Sequence, residues 1–286
     1  MWKPCIALWA GLAVGAAAPA VALDGPAPAT AEFVALGSSF AAGPDVGRPD
    51  PQGPPPCARS LDNYAHKLAA RRRLTLEDRS CSAARTADIH RHRQFGLPQQ
   101  IDGVGPQTRL VTVTIGGNDV SYLGDLSAAS CRNQGVVGCA PSPADTLDAR
   151  FEGLRNALAD MLAEVRARAP AARIVVVDYV TIVPARGTCP DRAPLTEADM
   201  AWARGRAERL RRLTAEAAAG AGASLLRASD LTEGHDICAA RPWVNGWRDP
   251  GPGGRPLAAY HPRIEAMEAI AQALDRMLPP DLVGTR

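Results

Sequence analysis

The sequence predicts an α/β fold of three layers, with helices on both faces of a central parallel sheet. Short runs at residues 33–37, 110–115 and 174–177 are apolar or β-branched, and the first shows no polar face, as strands buried on both sides do. Long stretches with apolar residues at helical spacing alternate with them, at 146–168 and 197–219, and that alternation makes the sheet parallel. Small residues bearing hydroxyls or amides follow two of the strands directly, at the carboxyl edge where open α/β sheets bind ligands.

Taken in order, residues 1–22 read as an export signal. Lys3 gives a positive start, residues 6–21 are apolar and Ala-rich, and Ala20-Val21-Ala22 fits a cleavage site. The run is short and broken by Pro4 and Pro19, which argues against a membrane anchor. No other stretch is long and apolar enough to span a bilayer. The mature chain, expected to begin near Leu23 and to lie outside the cell or in a periplasm, then forms one domain over residues 23–286, with no dividing linker.

Strand one, residues 33–37, runs into the corner Gly37-Ser38-Ser39, and a Pro-rich loop follows over 44–56. Residues 61–73 are expected to be helical, with Ser60 or Asp62 as the cap. Residues 74–78 make a short second strand leading into Ser80-Cys81-Ser82-Ala83. Residues 110–115 are β-branched through their centre, a strong strand. In 146–168, Leu147, Phe151, Leu154, Leu158, Met161, Leu162 and Val165 line one helical face. A strand at 174–177, the helix 197–219, a strand at 224–226 and a closing helix at 264–277, just after Pro262, complete the pattern.

Composition narrows the class. The 32 Lys and Arg nearly balance the 30 Asp and Glu, so nothing points to nucleic acid, and the Arg clusters at 71–73 and 91–93 read as solvated helix faces. Once Cys5 leaves with the signal, Cys57, Cys81, Cys131, Cys139, Cys189 and Cys238 remain, an even set that suggests disulfides in an exported chain. Cys131 and Cys139 are near neighbours and are expected to pair; spacing leaves the other four open. No CxxC or HxxxH spacing occurs, so no metal site is expected.

The chemistry sits in three short blocks at strand ends or loops: Gly37-Ser38-Ser39, Gly116-Gly117-Asn118-Asp119, and Tyr260-His261-Pro262. A serine, a histidine and an amide donor suit acyl transfer, because the hydroxyl needs a base and the oxyanion needs preorganised donors. Their wide separation in sequence is no objection, since such groups are recognised by role. Asn118 alone would be a loop cap, but within Gly-Gly-Asn-Asp after a strand an oxyanion role is favoured. His235 is a rival base, read as a structural hydrogen-bonder; His66, His90 and His92 are placed on exposed faces without a role. Trp243 and Trp247 either line a substrate groove or pack in the core, the commoner fate of tryptophan.

With these blocks in view the chain resembles the SGNH hydrolases, also called GDSL-type esterases and lipases, and within them the secreted, disulfide-containing branch of actinobacterial lipases and phospholipases. Gly37-Ser38-Ser39 with Gly43 is similar to the family's first block, Ser80-Cys81-Ser82-Ala83-Ala84-Arg85-Thr86 to its second, Gly116–Asp119 to its third and His261-Pro262 to its last. The resemblance implies a flavodoxin-like fold, a nucleophile at Ser39, a base at His261, and an oxyanion hole from Ser39, Ala83 and Asn118. It implies bridges Cys57–Cys81, Cys131–Cys139 and Cys189–Cys238, each worth roughly 2–4 kcal/mol. It also implies a monomer that hydrolyses lipid or small-molecule esters without a cofactor.

The chain departs from the family pattern in three places. Ser38 replaces the Asp before the nucleophile, Ala83 replaces the oxyanion glycine, and Ala258 stands where the acid three residues before the histidine is usual. A backbone carbonyl near Ala258 is therefore expected to orient His261, with Asp236 and Asp249 as the nearest upstream acids that could replace it. Two other functions stay open: a carbohydrate O-acetyl esterase, and a secreted binding protein of the same fold with impaired turnover. A nucleotide-binding role is disfavoured, because neither GxGxxG nor a Walker pattern follows a strand.

Overall fold

The structure is a computed structural model that describes residues 30–284. The expected export signal at 1–22 and the start of the mature chain lie outside the described residues. Five parallel strands form one sheet in the order β2-β1-β3-β4-β5: β1 Phe33–Gly37, β2 Leu76–Asp78, β3 Leu110–Thr114, β4 Arg173–Val177 and β5 Ser224–Leu226. Every residue of β1 and β3 is buried, which is why β1 reads as an unbroken apolar run and β3 carries only β-branched threonines between its apolar residues. Their register pairs Phe33 with Leu110 and Gly37 with Thr114, so both strands end at one level.

Eight helices surround the sheet among the described residues: α1 Ser39–Ala42, α2 Tyr64–Arg72, α3 Thr86–His90, α4 Tyr122–Asn133, α5 Leu147–Arg168, α6 Glu197–Gly220, α7 Ala228–Leu231 and α8 Ile264–Met277. One layer pairs α2 with α8; the other packs α3 on α5 and α5 on α6. The α5 stripe buries Phe151, Leu154, Leu158, Met161, Leu162 and Val165, each worth roughly 1.5–3 kcal/mol when fully covered. Helix α6 starts at a capping box, Thr196 with Asp199. The two layers are what a parallel sheet requires to cover both faces.

Several local expectations change. The cap of α2 is Asn63, whose side chain accepts the His66 N–H, because Ser60 and Asp62 are engaged earlier in the loop. Ser60 bonds the carbonyls of Val46 and Arg48, and Asp62 pairs with Arg48. His90 is 8 % exposed, not on a solvent face, and its Nδ1 meets Glu164 at 3.1 Å. Arg71 and Arg72 are not merely solvated: they reach Glu268 and Asp275 and so join α2 to α8. The helix α4 and the one-turn helices lack a long apolar stripe and have no strong signal in the sequence.

Disulfides join Cys57 to Cys81, Cys131 to Cys139, and Cys189 to Cys238. Among the described residues no helix is long and apolar enough to cross a membrane.

One buried ion pair holds the loop after β3. Arg206 of α6 meets Asp125 of α4, with side chains 2 % and 5 % exposed, and also donates to Val120 O at 3.2 Å. Trp202 lies against the guanidinium. Removing one partner leaves an uncompensated charge in the core. Arg206→Met should lower the unfolding free energy by about 3–5 kcal/mol, and adding Asp125→Leu should restore most of it, as read by urea denaturation.

Candidate active site

At the end of β1 the chain turns at Gly37, whose φ of +140° belongs to glycine; a Cβ there would stand 2.5 Å from Thr114 O. Ser38 N–H donates to Thr114 O at 2.9 Å, and α1 begins at Ser39. The corner therefore lifts Ser39 above the sheet edge. Ser38 is buried beneath it, its hydroxyl 3.4 Å from the Tyr179 hydroxyl.

His261 arrives from the far end of the chain, just before α8. Its Nε2 lies 2.8 Å from Ser39 Oγ, and its Nδ1 lies 2.8 Å from Ala259 O. A carbonyl only accepts, so Nδ1 carries the proton and Nε2 presents its lone pair to the serine hydroxyl. The orienting carbonyl is that of Ala259, within the stretch near Ala258 where one was expected. Ala258 O is already taken by Asn245 Nδ2 at 3.0 Å.

Neither expected remote acid reaches the histidine. Asp249 pairs with Arg192 and Arg263, and Asp236 accepts Cys238 N–H at 2.8 Å. The carboxylate that serves this loop is Asp45, which accepts Ala258 N–H at 2.8 Å and pairs with Arg255. His235 stacks flat on Trp243 at 3.8 Å and bonds Arg241 O, a loop-packing role away from Ser39. Trp247 lies on Tyr260 beside the histidine, and both tryptophans pack against the core.

The second block bonds to the corner at Gly37, and the third block bonds to the second. The turn 81–84 is held almost everywhere: Cys81 N–H donates to Gly37 O, Ser82 N–H to Cys57 O, and Ala84 N–H to Cys81 O. Asn118 Nδ2 donates to Ala84 O at 2.9 Å and Gln94 to Ser82 O at 2.8 Å. Among the described residues the amides of Ala83 and Ser39 make no hydrogen bond. Ala83 sits at φ +66°, a left-handed conformation usually left to glycine. Asp119 accepts Thr86 N–H, fixing the third block to α3; burial pushes its carboxyl up.

Three supports had little or no local signal. Tyr179, just past β4, accepts Gly117 N–H at 2.8 Å, and its ring lies where a Gly117 side chain would fall. Burial pushes its hydroxyl up to about 12, so it stays a neutral donor and acceptor. Phe40 packs on Tyr179 at 4.7 Å and on His261 at 5.2 Å. Gln100 bonds both polar groups of Gly37. A cavity of about 630 Å³ opens behind Tyr179, walled by α6 and residues 178–185. Ser39 and His261 are not among its lining residues.

Residues 35–269 match the GDSL-like Lipase/Acylhydrolase family. The chain belongs to that family. It is 35 % identical over 253 residues to Lipase 2 of Streptomyces coelicolor, covering 85 % of this chain and 84 % of that one. It is similar in structure to phospholipase A1 from Streptomyces albidoflavus, with a TM-score of 0.72 and 26 % identity over 87 % of this chain and all of that one. The extracellular lipase of Streptomyces rimosus gives a TM-score of 0.67 at 25 % identity, over 86 % and 99 % of the two chains. The chain is a carboxylic ester hydrolase of the lipase and esterase class with the α/β fold of this family.

Burial holds the His261 imidazole below its ordinary range, opposed by the bond to Ala259 and by the charge of Asp45. Followed by NMR in the resting protein, His261 should titrate below about 6.5. Asp45→Asn removes a charge that favours the imidazolium, so its midpoint should fall further, not rise.

Proposed function

We propose that this chain is an exported serine esterase in which Ser39 attacks the ester carbonyl and His261 is the base. The observation that carries the reading is the 2.8 Å contact between Ser39 Oγ and His261 Nε2, with Nδ1 tied to a carbonyl. That arrangement puts the lone pair on the serine and the proton on the far side of the ring. His261 takes the hydroxyl proton as the bond to the acyl carbon forms, then passes it to the leaving alcohol. Water repeats the sequence in reverse to free the acid.

The developing oxyanion needs donors that are not already committed. The amides of Ser39 and Ala83 supply two. Asn118 has one N–H on Ala84 O, which fixes its plane, and the other remains for substrate. Burial lowers the proton affinity of His261, so the neutral base persists to lower pH than for an exposed imidazole. The step needs no metal or organic cofactor.

The substrate class follows from the relatives: a lipase and a phospholipase A1 are among the similar proteins above, so acyl-chain lipids are proposed first. Ala83 favours a second reading, because a methyl group beside the oxyanion amide narrows the acyl side and suits short esters, acetylated glycans included. Export rests on the residues 1–22 pattern and on three disulfides, which persist in oxidising compartments. A binding protein with lost turnover is disfavoured by the Ser39–His261 contact, which binding alone does not need.

A panel of esters from acetyl to long-chain, with phospholipid and acetylated glycan, decides the substrate. Turnover of none of them by the folded mature protein would end the esterase reading. Ser39→Ala should abolish hydrolysis and fluorophosphonate labelling, while Ser38→Ala keeps most of both; label retained on Ser39→Ala would move the nucleophile elsewhere. Asn118→Ala should lower kcat by about 10²–10³ with little change in KM. An effect on KM alone would make Asn118 a substrate-binding residue instead.

A further inference from the structure

At the carboxyl end of β1 the sheet lacks one rung. The chain leaving β2 still follows β1, since Arg79 N–H donates to Ala35 O at 2.8 Å and Cys81 N–H to Gly37 O at 3.0 Å. Between these two bonds, among the described residues, no backbone carbonyl meets Gly37 N–H. Its acceptor is Gln100 Oε1 at 2.8 Å, while Gln100 Nε2 donates to Gly37 O at 3.0 Å. Gln100 is 5 % exposed and stands on a one-turn helix, Gln100–Gly103, 63 residues along the chain. A side-chain amide thus does for Gly37 what a strand residue does elsewhere in the sheet.

The missing rung has a cause. Asp78 accepts both Ser80 N–H at 2.9 Å and the Ser80 hydroxyl at 2.5 Å, turning the chain out of strand geometry toward the turn 81–84. A regular strand through Arg79 and Ser80 would satisfy Gly37 but would carry Ala83 straight on, away from Ser39. The turn and the rung compete, and Gln100 removes the conflict.

We propose that Gln100 is a positioning residue for ester hydrolysis: its amide locks the peptide groups of Gly37 and so sets the spacing between the Ser39 and Ala83 amides. The proposal rests on Ser39 as the nucleophile. Gly37 has no side chain to pack, so hydrogen bonds must fix its orientation. Its carbonyl accepts Gln100 Nε2 and Cys81 N–H together, so the nucleophile corner and the turn of Ala83 share one atom.

Gln100→Met keeps the size and removes both bonds. Expected on a soluble ester is a kcat reduced about tenfold or more with KM within about twofold, and a parallel loss in fluorophosphonate labelling rate. Gln100→Glu offers the same donor and acceptor only while protonated, so its kcat relative to wild type should rise as pH falls. Val104→Ala, a buried change just beyond the same short helix, is the control for stability and should keep kcat at a similar loss of Tm. In hydrogen exchange, Gly37 should lose protection in Gln100→Met while residues 110–114 keep theirs. Wild-type kcat in Gln100→Met, an equal kcat loss in Val104→Ala, or unchanged exchange at Gly37 would each overturn the proposal. If the wild type neither hydrolyses esters nor takes the label, the esterase reading fails, and the exchange measurement still decides whether Gln100 holds the corner.

Discussion

Gly37 runs against β3 so closely that no other residue fits, and the site is built outward from that contact. With Gly37 opposite Thr114, the corners after β1 and β3 leave the sheet at the same height. From there β1 leads toward β2 on one side, and β3 toward β4 on the other. The loops therefore part at the place where the strand order reverses, where open α/β sheets bind ligands. Ser39 follows β1 there, and Asn118 follows β3. Tyr179, bonded to Gly117 and close to Ser38, ties the two corners from below.

The histidine loop is assembled differently, from irregular chain braced by side chains. Asn245 is 3 % exposed and is the hub: its N–H donates to His261 O at 2.9 Å, its carbonyl accepts Tyr260 N–H, and its amide reaches Ala258 O. Arg263 bonds Asn245 and Asp249, and Tyr260, at φ +64°, buries its ring and bonds Ser130 of α4. A loop in this state has few ways to relax, since each backbone shift breaks a buried bond. That rigidity lets a single carbonyl, without a charge, fix the imidazole.

Much of this was legible before the structure, for a physical reason. Strands such as Phe33–Gly37 and Leu110–Thr114 are short and wholly buried, and α5 and α8 carry wide apolar stripes, so local pattern and tertiary packing agree there. The blocks around Ser39, Asn118 and His261 stand at strand ends or just before a helix, where sequence position already says which edge they face. Gln100, Asp45 and Phe40 act through contacts with residues far along the chain, and nothing adjacent to them announces it. His90 reads as exposed because Arg91 and His92 follow it, while the burial comes from beside Glu164 on α5, 74 residues away. The substitution of Asn63 for Ser60 or Asp62 as the helix cap is the same error on a smaller scale: three polar residues compete, and the loop geometry chooses.

The residue three places before His261 is Ala258, and the structure shows how the chain does without a carboxylate there. In the proposed mechanism an acid at that position would do two things: accept the Nδ1 proton, and stabilise the imidazolium that forms when the serine is deprotonated. Here the two are divided. Ala259 O accepts the proton and sets the tautomer, with no ion to desolvate. The charge comes from Asp45, on the loop after α1, which holds Ala258 N–H and is partly offset by Arg255. A more distant and partly neutralised carboxylate stabilises the imidazolium less than an adjacent one. The resting base keeps a lowered proton affinity, its lone pair is available at mildly acidic pH, and in the proposed mechanism the greater share of transition-state stabilisation would pass to the proposed oxyanion donors. The fold invests accordingly: the most heavily braced backbone near Ser39 is the turn that carries Ala83, pinned by a disulfide, by Gln94 and by Asn118.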